Sequence, residues 1–101
     1  MRKVTLEEIE GLWRCDNLHI RFDLYIRQNL NSRFTQFDLK SNSILNEVNG
    51  QINIIENFEA DNYSLWFDEK FELTIWHLAL ETNSIIFEIK GIGRYSFIKI
   101  G

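Results

Sequence analysis

His77 and Glu88 are the side chains best suited to proton transfer in this sequence, and a hairpin turning at Thr82-Asn83 brings them face to face. A carboxylate that orients an imidazole is half of a general-base pair. No nucleophile or third partner accompanies them, so the pair reads as a cross-strand contact worth roughly 0.2–1 kcal/mol. Cys15 is the only cysteine. A turn at Asp16-Asn17 puts His19 on the opposite face from it, so Cys15 reads as a small buried hydrophobe. His19 falls between Arg14 and Arg21, which discourage it from gaining a proton. Neither histidine has a cysteine or carboxylate at ligand spacing, so no metal site is expected. Gly91-Ile92-Gly93 joins two strands and leads into no helix, so it is not a phosphate loop. No cofactor and no enzymatic activity are expected.

The elements that position these residues are strands. Leu18 to Arg27 alternates strictly, with Leu18, Ile20, Phe22, Leu24 and Ile26 on one face and polar residues or Tyr25 on the other. That period of two belongs to a half-buried strand. Similar runs cover Leu12–Cys15, Arg33–Lys40, Ser43–Val48, Gln51–Phe58, Tyr63–Phe67, Phe71–Leu80, Ser84–Lys90 and Arg94–Ile100. Thr5–Glu10 is the only helix expected; Thr5 and Glu8 form a capping box and Gly11 stops it. Short connections favour an up-and-down meander. Twist and exposed edges favour its closure into a barrel of about eight strands. Nine segments are present, and antiparallel closure needs an even number. Either one segment is a bent continuation of its neighbour or the sheet stays open.

Several registers follow from the turns. Asn49-Gly50 suits a type I′ turn. The Asp16-Asn17 turn pairs Trp13 with Ile20, Cys15 with Leu18 and Arg14 with His19. The Thr82-Asn83 turn sends Trp76, Leu78, Ile85, Phe87 and Ile89 inward. Across Gly91-Ile92-Gly93, Phe87 meets Phe97, Ile89 meets Tyr95 and Ile85 meets Lys99, all pointing inward.

The chain has 101 residues, 45% hydrophobic and 26% charged, which bounds it to one domain, residues 1–101, with one core. The net charge of −4 and dispersed Lys and Arg argue against a nucleic-acid partner. No apolar run is long enough for a membrane helix. Glu7, Glu8 and Glu10 follow Met1-Arg2-Lys3 too closely for a signal peptide. With one cysteine, a cytoplasmic location is expected.

Gly11-Leu12-Trp13-Arg14, following a short helix, resembles the Gly-x-Trp start of lipocalins and the wider calycin group. The resemblance implies a barrel with Trp13 plugging its closed end. It also implies a basic side chain from the last strand across the indole, either Lys99 or Arg94. On this reading the chain binds an apolar or amphipathic small molecule inside the barrel. Trp13, Ile20, Phe22, Leu24, Trp76, Leu78, Phe87, Ile89, Tyr95, Phe97 and Lys99 line the site.

A second reading comes from the other face. Leu73, Ile75, Ala79, Ile86 and Ile98 fall outward, where a monomeric barrel is mostly polar. Three explanations stand: the helix covers them through Leu6 and Ile9, another subunit covers them, or a bulge between Leu73 and Trp76 returns Phe71 and Leu73 to the core. Leu73, Ile75, Ile86 and Ile98, together with Trp66 in an exposed Tyr63-Ser64-Leu65-Trp66-Phe67 segment, form a candidate interface. The chain is then an interaction module with a filled core, such as an inhibitor, immunity protein or assembly subunit, with a homodimer among its possible assemblies. An empty or packed interior separates the two readings.

Overall fold

The computed structural model describes residues 4–101, the side chain of Leu80 excepted. Thr5 caps a single helical turn, α1 (Leu6–Ile9), and the expected capping box is present with Glu8. Nine strands follow: β1 (Gly11–Asn17), β2 (Ile20–Ile26), β3 (Ser32–Asp38), β4 (Ser43–Gly50), β5 (Ile52–Asn57), β6 (Asn62–Phe67), β7 (Phe71–Ala79), β8 (Ser84–Ile89) and β9 (Gly93–Lys99). They form one antiparallel sheet in the order β4-β3-β2-β1-β9-β8-β7-β6-β5. Pairing of β1 with β9 rolls it into a barrel, closed except at a seam between β4 and β5. Among the described residues no helix is long and apolar enough to cross a membrane.

The seam resolves the strand count. β4 runs antiparallel to β3 and β5 antiparallel to β6, so β4 and β5 point the same way round the barrel. Only Gln51 separates them, and together they make one long bent strand, which leaves eight directions for nine segments. Asn49-Gly50 is therefore not a hairpin turn. Gly50 serves close approach instead: it is buried, and a Cβ there would stand 2.5 Å from Asp68 Oδ2. Gln51 N–H donates to Asp68 Oδ1 and Asp68 N–H donates to the Gln51 carbonyl, both at 2.9 Å. These bonds tie the bend to the β6–β7 turn.

Two hairpin registers differ from expectation without turning any face over. β1 and β2 meet through a turn at Leu18-His19, which pairs Trp13 with Leu24, Cys15 with Phe22 and Arg14 with Asp23. The shift is an even number of positions, so Ile20, Phe22, Leu24 and Ile26 keep their face, while Leu18 falls in the turn and is 90% exposed. In the β8–β9 hairpin Phe87 faces Tyr95 and Ile85 faces Phe97, again an even shift.

The β7–β8 ladder changes more. Its register slips between Ile75 and His77, leaving Trp76 as the extra residue of a bulge. Leu73 and Ile75 consequently point inward and are fully buried and Phe71 packs on the core, so of the three explanations the bulge accounts for Leu73, and Ile75 joins it against the plain alternation. Leu78, beyond the bulge, remains inward opposite Ile85. Trp76 is turned out.

The core joins both halves of the barrel. Phe22 stacks near Phe34 with centroids 6.0 Å apart and lies 5.1 Å from Tyr95. Phe34 packs on Phe71 at 5.3 Å, and Phe87 meets Phe97 edge-on at 5.1 Å. Each such buried side chain contributes about 1.5–3 kcal/mol. The N-terminal segment joins this core: Val4 and Ile9 are buried with Trp13, and Leu6 packs against them. It packs with Trp13 in the core, while Ile98 on the outer face of β9 stays exposed.

Candidate functional site

Of the side chains expected to line a ligand cavity, Trp13, Phe22, Leu24, Phe87, Ile89 and Phe97 are buried. Ile20, Leu78 and Tyr95 are partly buried and pack against that core. Lys99 lies on the same face as Trp13, its directly paired neighbour, and its stem runs over Gly11. There a Cβ would stand 2.6 Å from Lys99 Cε. Trp76 departs from the set because the bulge ejects it. None of these residues lines any of the pockets described below.

The indole of Trp13 is 1% exposed and its Nε1–H donates to the Ile9 carbonyl at 2.8 Å. Of the two cations expected across this ring, Lys99 is its paired neighbour on β9 and Arg94 is elsewhere. Arg94 Cζ lies 3.8 Å from the ring centroid of Trp76, and the other cation–ring contact among the described residues is Arg27 over Tyr25.

The outward cluster around Trp76 also displaces the His77–Glu88 pair. Glu88 Oε1 accepts from Trp76 Nε1 at 2.8 Å and from Arg94 Nε at 3.0 Å. His77 stands opposite Ile86 instead. Cys15 packs on the core; burial, with Asp16 nearby, pushes its thiol above the ordinary range. Among the described residues no three His, Cys, Asp or Glu side chains are grouped to hold a metal.

Of the outer residues singled out as an interface, Leu73 and Ile75 belong to the core. Ile86 is half-buried, and Ile98 is 57% exposed beside Arg14. Trp66 is half-buried on the outside of β6, and the rest of the segment expected to be exposed, Tyr63, Ser64, Leu65 and Phe67, is buried in β6, paired on both sides.

A broader apolar surface lies on the outside of β1–β4. Leu12, Tyr25, Phe37 and Ile44, with Asp23, Arg33, Thr35 and Glu47, line a groove of about 340 Å³. Leu12 and Tyr25 also border a wider hollow of about 630 Å³ at the barrel end, with Glu10, Ile26, Arg27 and Leu30. Exposed Ile98 and Ile100 extend the apolar surface across β9. Charges on this face are fixed in pairs. Arg14 holds Asp23 through two bonds of 2.7 and 3.0 Å, which raises the guanidinium's already high pKa. The Arg21 guanidinium beside Asp16 holds that carboxyl below the usual range. Sequence reading missed this groove although a signal was there: Leu12 and Phe37 are apolar residues in the polar phase of their strands.

No family model, curated protein or solved structure matches the chain.

Proposed function

We propose that this chain is a non-enzymatic protein-interaction module, an inhibitor, immunity or assembly subunit whose filled barrel presents its outer face to a partner. One observation carries this reading: the aromatic side chains facing inward pack on one another, while the apolar groove lies outside on β1–β4. Ring-to-ring contacts of 5.1–6.2 Å around Phe22 and Phe97 occupy the space that an interior ligand needs. Exposed tyrosine and aliphatic side chains beside fixed ion pairs suit a protein contact.

The likeness to lipocalins extends to the element order, the Gly11-Leu12-Trp13 start and the indole buried at the barrel end. It supports a relation of architecture, and the interior supports no stored ligand. The lone Cys15 suits a reducing cytoplasm.

The test pairs an interior probe with a surface crosslink. An anilinonaphthalene dye should stay dark with the folded chain. A photo-crosslinker at Tyr25 should capture a specific protein, another copy included, and Ile44→Glu should abolish capture without moving the urea midpoint. A small molecule retained in the native mass spectrum and released by Phe87→Ala would overturn the reading.

A further inference from the structure

The seam leaves β5 with an unpaired backbone edge, since β5 exchanges ladder bonds with β6 alone among the described residues. The bond from Asp68 N–H to the Gln51 carbonyl shows which groups face that edge. In an antiparallel pair, residues alternate between bonding the partner strand through both backbone groups and turning both away. Gln51 is in the first class, and Asn53, Ile55 and Asn57 share its phase. Ile52, Ile54 and Glu56 therefore direct N–H and C=O toward the open seam. Such a row is a template for another extended strand.

Two further features surround the same strand. On the outer face Asn53, Ile55, Trp66 and Glu69 border an open pocket of about 310 Å³. Ile55 is 51% exposed and Glu69 stands on the β6–β7 turn. An aliphatic wall, an indole and a carboxylate together suit a long cationic side chain: methylenes pack on the first two and the charge meets the third. Charge is also concentrated here. From Glu56 to Glu72 the chain carries six carboxylates, Glu56, Glu59, Asp61, Asp68, Glu69 and Glu72, against the single cation Lys70.

We propose that the free edge of β5 takes up an extended basic segment of a partner protein as an added strand, with one Lys or Arg side chain in the pocket of Asn53, Ile55, Trp66 and Glu69. This rests on the reading of the chain as an interaction module and names its partner's chemistry. Complementary charge selects the occupant. Two copies joined through β5 would bring two acidic segments together, so repulsion opposes self-pairing, and the same field repels nucleic acid.

An eight-residue peptide of alternating Lys and Thr, capped at both ends, tests this against a matched Glu–Thr peptide. Binding is followed by fluorescence anisotropy, and amide hydrogen exchange by NMR locates it. The Lys–Thr peptide should bind, weaken with salt, and slow exchange at Ile52, Ile54 and Glu56 at least tenfold. Glu69→Lys and Trp66→Ala, each checked for a native amide spectrum, should weaken binding at least tenfold. No protection at those amides, equal binding of the Glu–Thr peptide, or indifference to Glu69→Lys overturns the proposal. Protection confined to β1–β4, or of the β5 edge by self-pairing without peptide, overturns it too but leaves the interaction-module reading standing. That reading falls separately, through a ligand in the barrel.

Discussion

The indole N–H of Trp13 meets the carbonyl of Ile9 at 2.8 Å inside the barrel end, so the first strand and the helix before it are held by one buried bond. Trp13→Phe keeps most of the apolar volume but strands that carbonyl, at a cost of about 1–3 kcal/mol. Trp13→Ala should cost about 3–5 kcal/mol. Urea midpoints of the two variants give the ranking, and a Trp13→Phe value near zero would show that the bond contributes nothing.

Gly50→Ala should destabilise the chain by about 1–3 kcal/mol, because the new methyl meets the Asp68 carboxylate. Adding Asp68→Gly should recover part of that loss, since the turn residue already has positive φ and glycine accepts it. A double-mutant cycle in urea measures the recovery. Strict additivity would locate the strain elsewhere.

Arg94 and Trp76 offer a surface test. Arg94→Ala removes both the ring contact and the bond to Glu88, with an expected loss of about 0.5–1 kcal/mol given its exposure. Arg94→Lys should restore little, because a flexible ammonium lacks the planar stacking face. Thermal midpoints of the three proteins decide it.

Cys15 gives a pH dependence. Its folded pKa is raised, so the stability it contributes is fully present below the unfolded thiol pKa of about 8.5 and is lost as pH rises through the folded value. Stability should therefore decline on the alkaline side, and Cys15→Ala should reduce that decline. Urea titrations from pH 7 to 10 show whether the slopes differ. Alkylation of the native thiol at pH 8 should also be slower than in urea.

The sequence announced strands readily because alternation is a local property. It carried the inward faces of β2, β8 and β9 through register shifts, since an even slip keeps every side chain on its face. Where one residue changed the phase, it offered a bulge between Leu73 and Trp76 only as one of three alternatives. The bulge at Trp76 depends on how β7 fits β8, and no pattern within β7 marks it as the residue to leave out. Asn49-Gly50 failed for a different reason. The pair has turn chemistry, but Gly50 is small to admit Asp68 from a distant turn, a tertiary demand invisible in the dipeptide. The outer groove needed four strands to be aligned before Leu12, Tyr25, Phe37 and Ile44 became neighbours.

The sheet order also bears on the order in which contacts are expected to form. Every ladder but one joins strands adjacent in the chain, so these hairpins can form after short loop closures. The exception, β1 with β9, brings together opposite ends of the described chain, pairing Trp13 with Lys99 and Arg14 with Ile98 and continuing through backbone bonds of Leu12 with Ile100 and Gly101. That closure carries the largest entropic cost and the highest contact order in the molecule. On contact order, a curved, open meander is the species expected before the last step. In it the β1 and β9 edges and the Trp13 face are still exposed, and it becomes the native barrel when the two end strands zip together.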